Sequence, residues 1–379
     1  MTTAFILIPG ARFPAAVASE LLGSATPIER EAYEAIGDGH ELPVVQRIAG
    51  PLYARMPHWS WLWKVLARAP GEPQEAPALW REEGGPRLHA ALWRLSGVTL
   101  SENGRVSPEP GEFSEDEMLA LLSAASPIAA QAGMRVQAAG SAFYFSRAEN
   151  WDAAAMPRRA LTGLSYQQAL EDGIAGADAP AVRSVVSALN AAAAAEGSPI
   201  ARLAAARRGA GRPSIDAFWL SGGGMDESHY PPSLIRSVAA DDLAVRGWAA
   251  ASGIPVSRVV PVSGRKAWPE APEGDVIVVL DELLEPWLRH DVDAWRKRLP
   301  AVADSYLCWR GAALARGADE VLPVLFGLGT SASLPARPKR ALDAIPLFRR
   351  SARPLPAEAW LVDSAPEDEA GRSAEEASE

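Results

Sequence analysis

A single cysteine, Cys308, stands among 379 residues, so the chain can form neither an internal disulfide nor a cysteine-based zinc site. Between Leu307 and Trp309 in a helical run, its thiol reads as buried and inert. Basic charge is short as well: 37 Lys+Arg against 47 Asp+Glu leave a formal net charge of −10. Nucleic acid and anionic membranes both require a surplus of positive charge on the contacting face, so neither is expected as a partner. No apolar run approaches the ~18 residues that mark a membrane span. The first ten residues lack the basic region of a signal peptide, and the expectation is a cytoplasmic protein. Histidine is scarce: the five (His40, His58, His89, His229, His290) include no His-x-x-x-His pair. The roughly six to eight converging carboxylates and imidazoles of a two-metal site cannot be assembled, and no cofactor is expected.

What is present is ordinary globular composition, with 48% hydrophobic and 22% charged residues. The length exceeds the ~250–300 residues at which one core stops growing, which favours two lobes. The expected division is an N-terminal α/β part over 1–150, a C-terminal α/β part over 151–360 and an acidic disordered tail over 361–379. The tail carries seven acids and one base, whereas residues 336–353 carry six bases and one acid. Tail and basic segment read as two solvated segments with no defined contact, the alternatives being that they cover one another or dock a protein partner.

Phe5-Ile-Leu-Ile-Pro-Gly10 reads as a buried strand entering a turn, and Asp275-Val-Ile-Val-Val-Leu280 as a strand buried on both faces. Glu320 to Phe326 is a further strand, and helices are expected over 292–316. Ser114-Glu-Asp-Glu117 is a capping box, and strands pair around Gly140. Residues 181–208 read as helical with a break near Pro199, residues 69–86 as a loop, and residues 233–252 as mostly helical. The fold class is α/β: a central mixed, largely parallel sheet flanked by helices, with a less regular N-terminal part. Trp59, Trp61 and Trp63 would share one face of a strand or spread around a helix, and both remain open. The 13 tryptophans read as packing, since a base-stacking groove would interleave them with Lys and Arg.

Chemistry concentrates around Phe218-Trp-Leu-Ser-Gly-Gly-Gly224. A strand delivering a glycine-rich turn lets backbone N–H groups approach an anion, with Arg208 or Arg212 as a clamp and Asp216, Ser221, Gly222, Gly223 and Gly224 as further ligand-binding candidates. The plainer reading is that three glycines permit a tight turn. His229, just beyond, is the candidate for acid/base work. Asp281 and Glu282 follow the strongest strand and would either bind a metal or cap the next helix. Asp38-Gly-His40 reads as a solvated turn.

Arg208-x-x-Gly211, Asp216 and Phe218 to Gly224 resemble the Arg-x-x-Gly and Asn-Ser-Phe-Trp-Leu-Ser-Gly-x-Gly signature of an RpfE-type bacterial regulatory protein family. That family is itself distantly similar to cofactor-independent phosphoglycerate mutases of the alkaline-phosphatase superfamily. Asp242-Leu-Ala-Val-Arg-Gly247, Asp291-Val-Asp-Ala-Trp295 and Leu347-Phe-Arg-Arg350 are similar to further stretches of the family. The chain departs from it in having Asp216 and Ala205 where asparagines are usual. The mutases imply two metal ions, a serine nucleophile and an Asp-Gly after the first strand, where this chain has Ile8-Pro-Gly10. The resemblance therefore implies a mutase-like protein of regulatory or assembly role without catalysis. The alternatives are a metal-dependent phosphotransferase or mutase acting on a small phosphorylated acid, with a divalent metal, and a subunit of a larger complex.

Overall fold

The computed structural model describes residues 2–69, 71–107, 113–149, 151–225, 233–263, 274–336 and 354–363. The chain begins with β1 (Thr3–Ile8), α1 (Ala15–Gly23), α2 (Pro27–Gly37), β2 (Val44–Arg47), α3 (Pro57–Leu62), α4 (Glu75–Glu82) and β3 (Ala91–Val98). Its middle comprises α5 (Glu115–Gln131), β4 (Arg135–Ala139), β5 (Ala142–Arg147), β6 (Ala154–Ala155), α6 (Tyr166–Asp172), β7 (Ile174–Ala175), α7 (Ala179–Ala194), α8 (Pro199–Gly209) and β8 (Ala217–Met225). It closes with β9 (Ile235–Ala239), α9 (Leu243–Ala251), β10 (Val259–Val260), β11 (Asp275–Val279), α10 (Leu284–Leu288), α11 (Val292–Ala315), β12 (Glu320–Phe326), β13 (Thr330–Ser333) and α12 (Ala357–Leu361).

Among the described residues the strands form two sheets. The larger has the order β10-β9-β11-β1-β12-β13-β2. Its first five strands run parallel, while β13 is antiparallel to both of its neighbours, β12 and β2. The expected mixed, largely parallel sheet is thus present. Its central strands β1 and β11 bury Ile6, Leu7, Ile277 and Val278 completely, and each such side chain contributes about 1.5–3 kcal/mol by leaving water. The second sheet, β4-β5-β3-β8-β6-β7, is antiparallel throughout. Its strands span residues 91–225, while β1 and β2 before them and β9 to β13 after them form the parallel sheet.

Several local expectations are met. Ser114 accepts from the Glu117 N–H while Glu117 accepts from the Ser114 N–H, closing the capping box at α5. Gly140, at φ 54°, turns β4 into β5, and the chain leaves helix between α7 and α8 near Pro199. Others need correction. Residues 69–86 contain α4, whose Pro77 lies in the first turn, where its missing N–H is no loss. α4 packs against α9, β3 and β8, joining the two sheets. Residues 233–252 hold the buried strand β9 ahead of α9. Cys308 is half-buried. His40 is not solvated: it is buried, with Nε2 2.9 Å from the Tyr306 hydroxyl.

Trp59 and Trp63 lie on α3 and the wider π turn that continues it (63–67), and both meet Trp248 edge-on at 5.4 and 5.7 Å. Trp63, Trp80, Trp93, Trp219, Trp248, Trp295, Trp309 and Trp360 are fully buried, so these tryptophans are core. The tail also needs correction at its start. Leu361 is buried in α12, and Asp363 is bound to the body of the fold. The rest of the tail and the basic segment beyond Ala336 lie outside the described residues.

Candidate functional site

Open parallel sheets bind ligands beyond the carboxyl ends of their strands. Here Asp241-Asp242 follow β9 and Leu280-Asp281 follow β11. Asp242 caps α9 through the N–H groups of Ala244 and Val245, at 2.9 and 3.4 Å, and accepts the Trp59 indole N–H at 2.9 Å. Burial pushes its pKa up, against the opposing charge of Arg159. Asp241 binds the Val262 and Ser263 N–H groups instead, so two adjacent aspartates tie down different loops.

Arg159 comes from a short 3-10 turn, Arg158–Leu161, and reaches across to the parallel sheet. Its Nη1 lies 2.6 Å from Asp281 and 3.8 Å from Asp242. One guanidinium thus binds the acids that end two neighbouring strands. Buried Arg158 holds the turn in place by donating to the carbonyls of Gly97 and Ser107, at 3.1 and 2.9 Å. Arg94 on β3 pairs with Glu83 at 3.0 Å, and Glu83 also accepts the Tyr144 hydroxyl. Between these groups lies a cavity of about 340 Å³ whose walls include Trp59, Arg94, Arg158, Arg159, Asp242 and Glu285. His58 is buried behind it against Phe326 and Trp59. Burial holds its pKa well below the ordinary value, and Arg159 adds to the effect.

Of the candidate residues that the structure describes, only Asp281 belongs to this site. Glu282 points outward and its carbonyl accepts from Arg298. Arg208 is exposed and 3.5 Å from Asp216, whose carboxylate also accepts the Leu100 N–H. Arg212 joins Arg207 on Glu117, at 3.1 and 2.9 Å. These groups cluster before the start of β8, whereas Ser221 to Gly224 occupy its far half, so the clamp and the glycines are at opposite ends of one strand.

The glycines themselves do not form a turn. They continue β8 with φ between 82° and 114°, and a Cβ on Gly222 or Gly224 would strike Ala76 or Gln74 at the start of α4. A Cβ on Gly223 would strike the Ala153 carbonyl. Their lack of side chains lets α4 cross the strand closely. The buried Ser221 hydroxyl has no hydrogen-bond partner among the described residues. The separate 620 Å³ cavity that the glycines line contains Glu72, Asp152 and Asp172, acidic surroundings for a phosphate. His229 lies outside the described residues.

Among the described residues no three His, Cys, Asp or Glu side chains are grouped to hold a metal ion. Asp242 opens the Asp242-to-Gly247 stretch that the sequence singles out, but its place just beyond a strand is hidden because Ile235 to Ala239 reads as helix; Arg159 carries no local signal at all.

No protein-family model matches the chain, and no curated protein matches it in sequence. Among solved structures it shows a distant likeness to a cofactor-independent phosphoglycerate mutase from Thermoplasma acidophilum. The two share 13% identity over 95% of this chain and 94% of the other, with a TM-score of 0.38. A protein from Pyrococcus horikoshii is similar at 12% identity over 94% and 91% of the two chains, with a TM-score of 0.44.

Proposed function

We propose that the chain is a mutase-like, RpfE-type protein with a regulatory or assembly role, which binds a small phosphorylated acid in the Arg159 cavity and does not transfer its phosphoryl group. The observation that carries this reading is the Asp242–Arg159–Asp281 arrangement at the strand ends. Carboxylates there would draw divalent cations if they converged unpaired; here one guanidinium pairs with both and offsets one of their two charges. Arg159 remains about one-third exposed, and a planar guanidinium suits a phosphate or carboxylate in a two-point contact. Arg94 and Arg158 also line the cavity and favour an anion, while Glu75, Glu285 and Asp242 restrict its size and charge.

Titration calorimetry with 3-phosphoglycerate and inorganic phosphate tests the reading. Wild type should bind, and Arg159→Ala should bind at least about tenfold more weakly, as expected for loss of a charge-assisted contact. Neither protein should turn over a phosphorylated acid with Mg²⁺ or Mn²⁺. Turnover dependent on either ion, or equal binding by the variant, would reject it.

A further inference from the structure

A second arginine stands at the same edge of the parallel sheet. Arg12 follows β1 and its side chain is completely buried. Each face of its guanidinium has a fixed partner. Nε donates to the Trp360 carbonyl at 3.2 Å, Nη2 to the Val362 carbonyl at 2.6 Å and Nη1 to the Thr330 hydroxyl at 2.9 Å. Nη1 also lies 3.1 Å from the Asp363 carboxylate. That carboxylate accepts the Leu328 N–H at 2.6 Å and the Thr330 hydroxyl. Gly327 completes the surroundings, since a Cβ there would collide with the Asp363 carboxylate.

These are the elements of oxyanion recognition: a guanidinium, a backbone N–H, a hydroxyl and a glycine that allows close approach. They lie at the carboxyl ends of β1 and β12, where open sheets hold ligands. The carboxylate is supplied by the segment 354–363, which has anchors of its own. Trp360 and Leu361 are fully buried, and the Phe13 and Leu361 backbones are joined at 2.8 Å. We infer that Arg12, the Leu328 N–H, the Thr330 hydroxyl and Gly327 form a binding site for a small carboxylate or phosphate-type oxyanion, which the chain closes with its own Asp363. The C-terminal segment is then a strap that carries an internal ligand. Because the strap is tethered, its carboxylate acts at an effective concentration of order millimolar or above, and free anions compete poorly.

The full-length Asp363→Ala variant tests this. Thermal melts are followed in chloride, formate and inorganic phosphate at matched ionic strength, with calorimetric titration of the same anions. The variant should melt below wild type in chloride, and formate or phosphate should raise its Tm at least about twice as much as that of wild type. Its affinity for the effective anion should exceed the wild-type value by about tenfold. The Arg12→Gln/Asp363→Ala double variant should lose the anion response. Rescue by formate identifies a carboxylate site, and rescue by phosphate a tetrahedral oxyanion site. A folded single variant that responds no more than wild type, or a double variant that responds equally, overturns the inference. If the single variant is recovered only unfolded, refolding yield replaces the melt: recovery in formate or phosphate but not in chloride supports the site, and failure in all three overturns it.

Discussion

Arg12 and Arg159 face the same edge of one parallel sheet, both bound to aspartates, yet they are built for different ends. Arg12 is completely buried, and apart from the Thr330 hydroxyl its partners come from the strap 354–363. Arg159 stays about one-third exposed, facing a cavity, and spans the ends of β9 and β11. Desolvation decides the difference. A buried ion pair is worth keeping only because removing one partner strands the other charge away from water, whereas an exposed pair contributes little and exchanges partners readily. One site is a clasp and the other the proposed receptacle.

Arg12→Ala tests the clasp and should have the largest effect. It leaves Asp363 without its counter-charge and the Val362 and Trp360 carbonyls without the Arg12 donor, and chemical denaturation should show a loss of about 3–5 kcal/mol. A loss below about 1 kcal/mol would place Arg12 in the same class as Arg159 and end the distinction.

Acid provides the next test, because His58 packs against Phe326, the residue whose carbonyl accepts the Ala11 and Arg12 N–H groups, and is also electrostatically close to Arg159. Burial holds His58 well below its ordinary pKa, and burial with the Arg310 charge lowers His40 to about 4. Both rings stay neutral in the fold while the unfolded chain takes up protons below pH about 6.5, so stability should fall as pH drops from there toward 4. His40 alone should account for about 3 kcal/mol at the lower end. The raised pKa of Asp242 acts in the opposite sense, since the fold takes up that proton early. Denaturant midpoints between pH 7 and 4.5 should decline, and less steeply in His40→Phe. A flat profile in wild type would contradict the burial of both rings.

The smallest effect belongs to the receptacle. Arg159→Ala should change stability by no more than about 1 kcal/mol, because its guanidinium is partly solvated and buried Asp242 keeps its Trp59, Ala244 and Val245 donors. A loss equal to that of Arg12→Ala would show that both arginines act as clasps.

Much of the parallel sheet was legible. Phe5 to Ile8 and Val276 to Leu280 are apolar without interruption, as strands covered on both faces require. Caps and turns were readable for the same reason: Ser114 with Glu117 and Gly140 act on neighbours a few residues away. β9 was missed because Ile235 to Ala239 contains Arg, Ser and Ala, and its conformation is imposed by parallel pairing to β10 and β11. α4 was missed because its Pro and its flanking Pro, Gly and Glu outweighed a short helix that tertiary burial stabilises. The glycine run was noticed, but its cause, the close crossing of α4, is invisible along the chain.

The sequence by itself determined the α/β class, the buried central strands, the capping box, the burial of many tryptophans and the absence of a local metal-binding pattern, since each depends on composition or on contacts within a few residues. The tertiary structure alone decided which charges meet. Arg12 and Val362 are 350 positions apart, and Arg159 and Asp281 are 122 apart. Electrostatic partnership depends on distance in space and on exclusion of water, and neither is encoded in spacing along a chain.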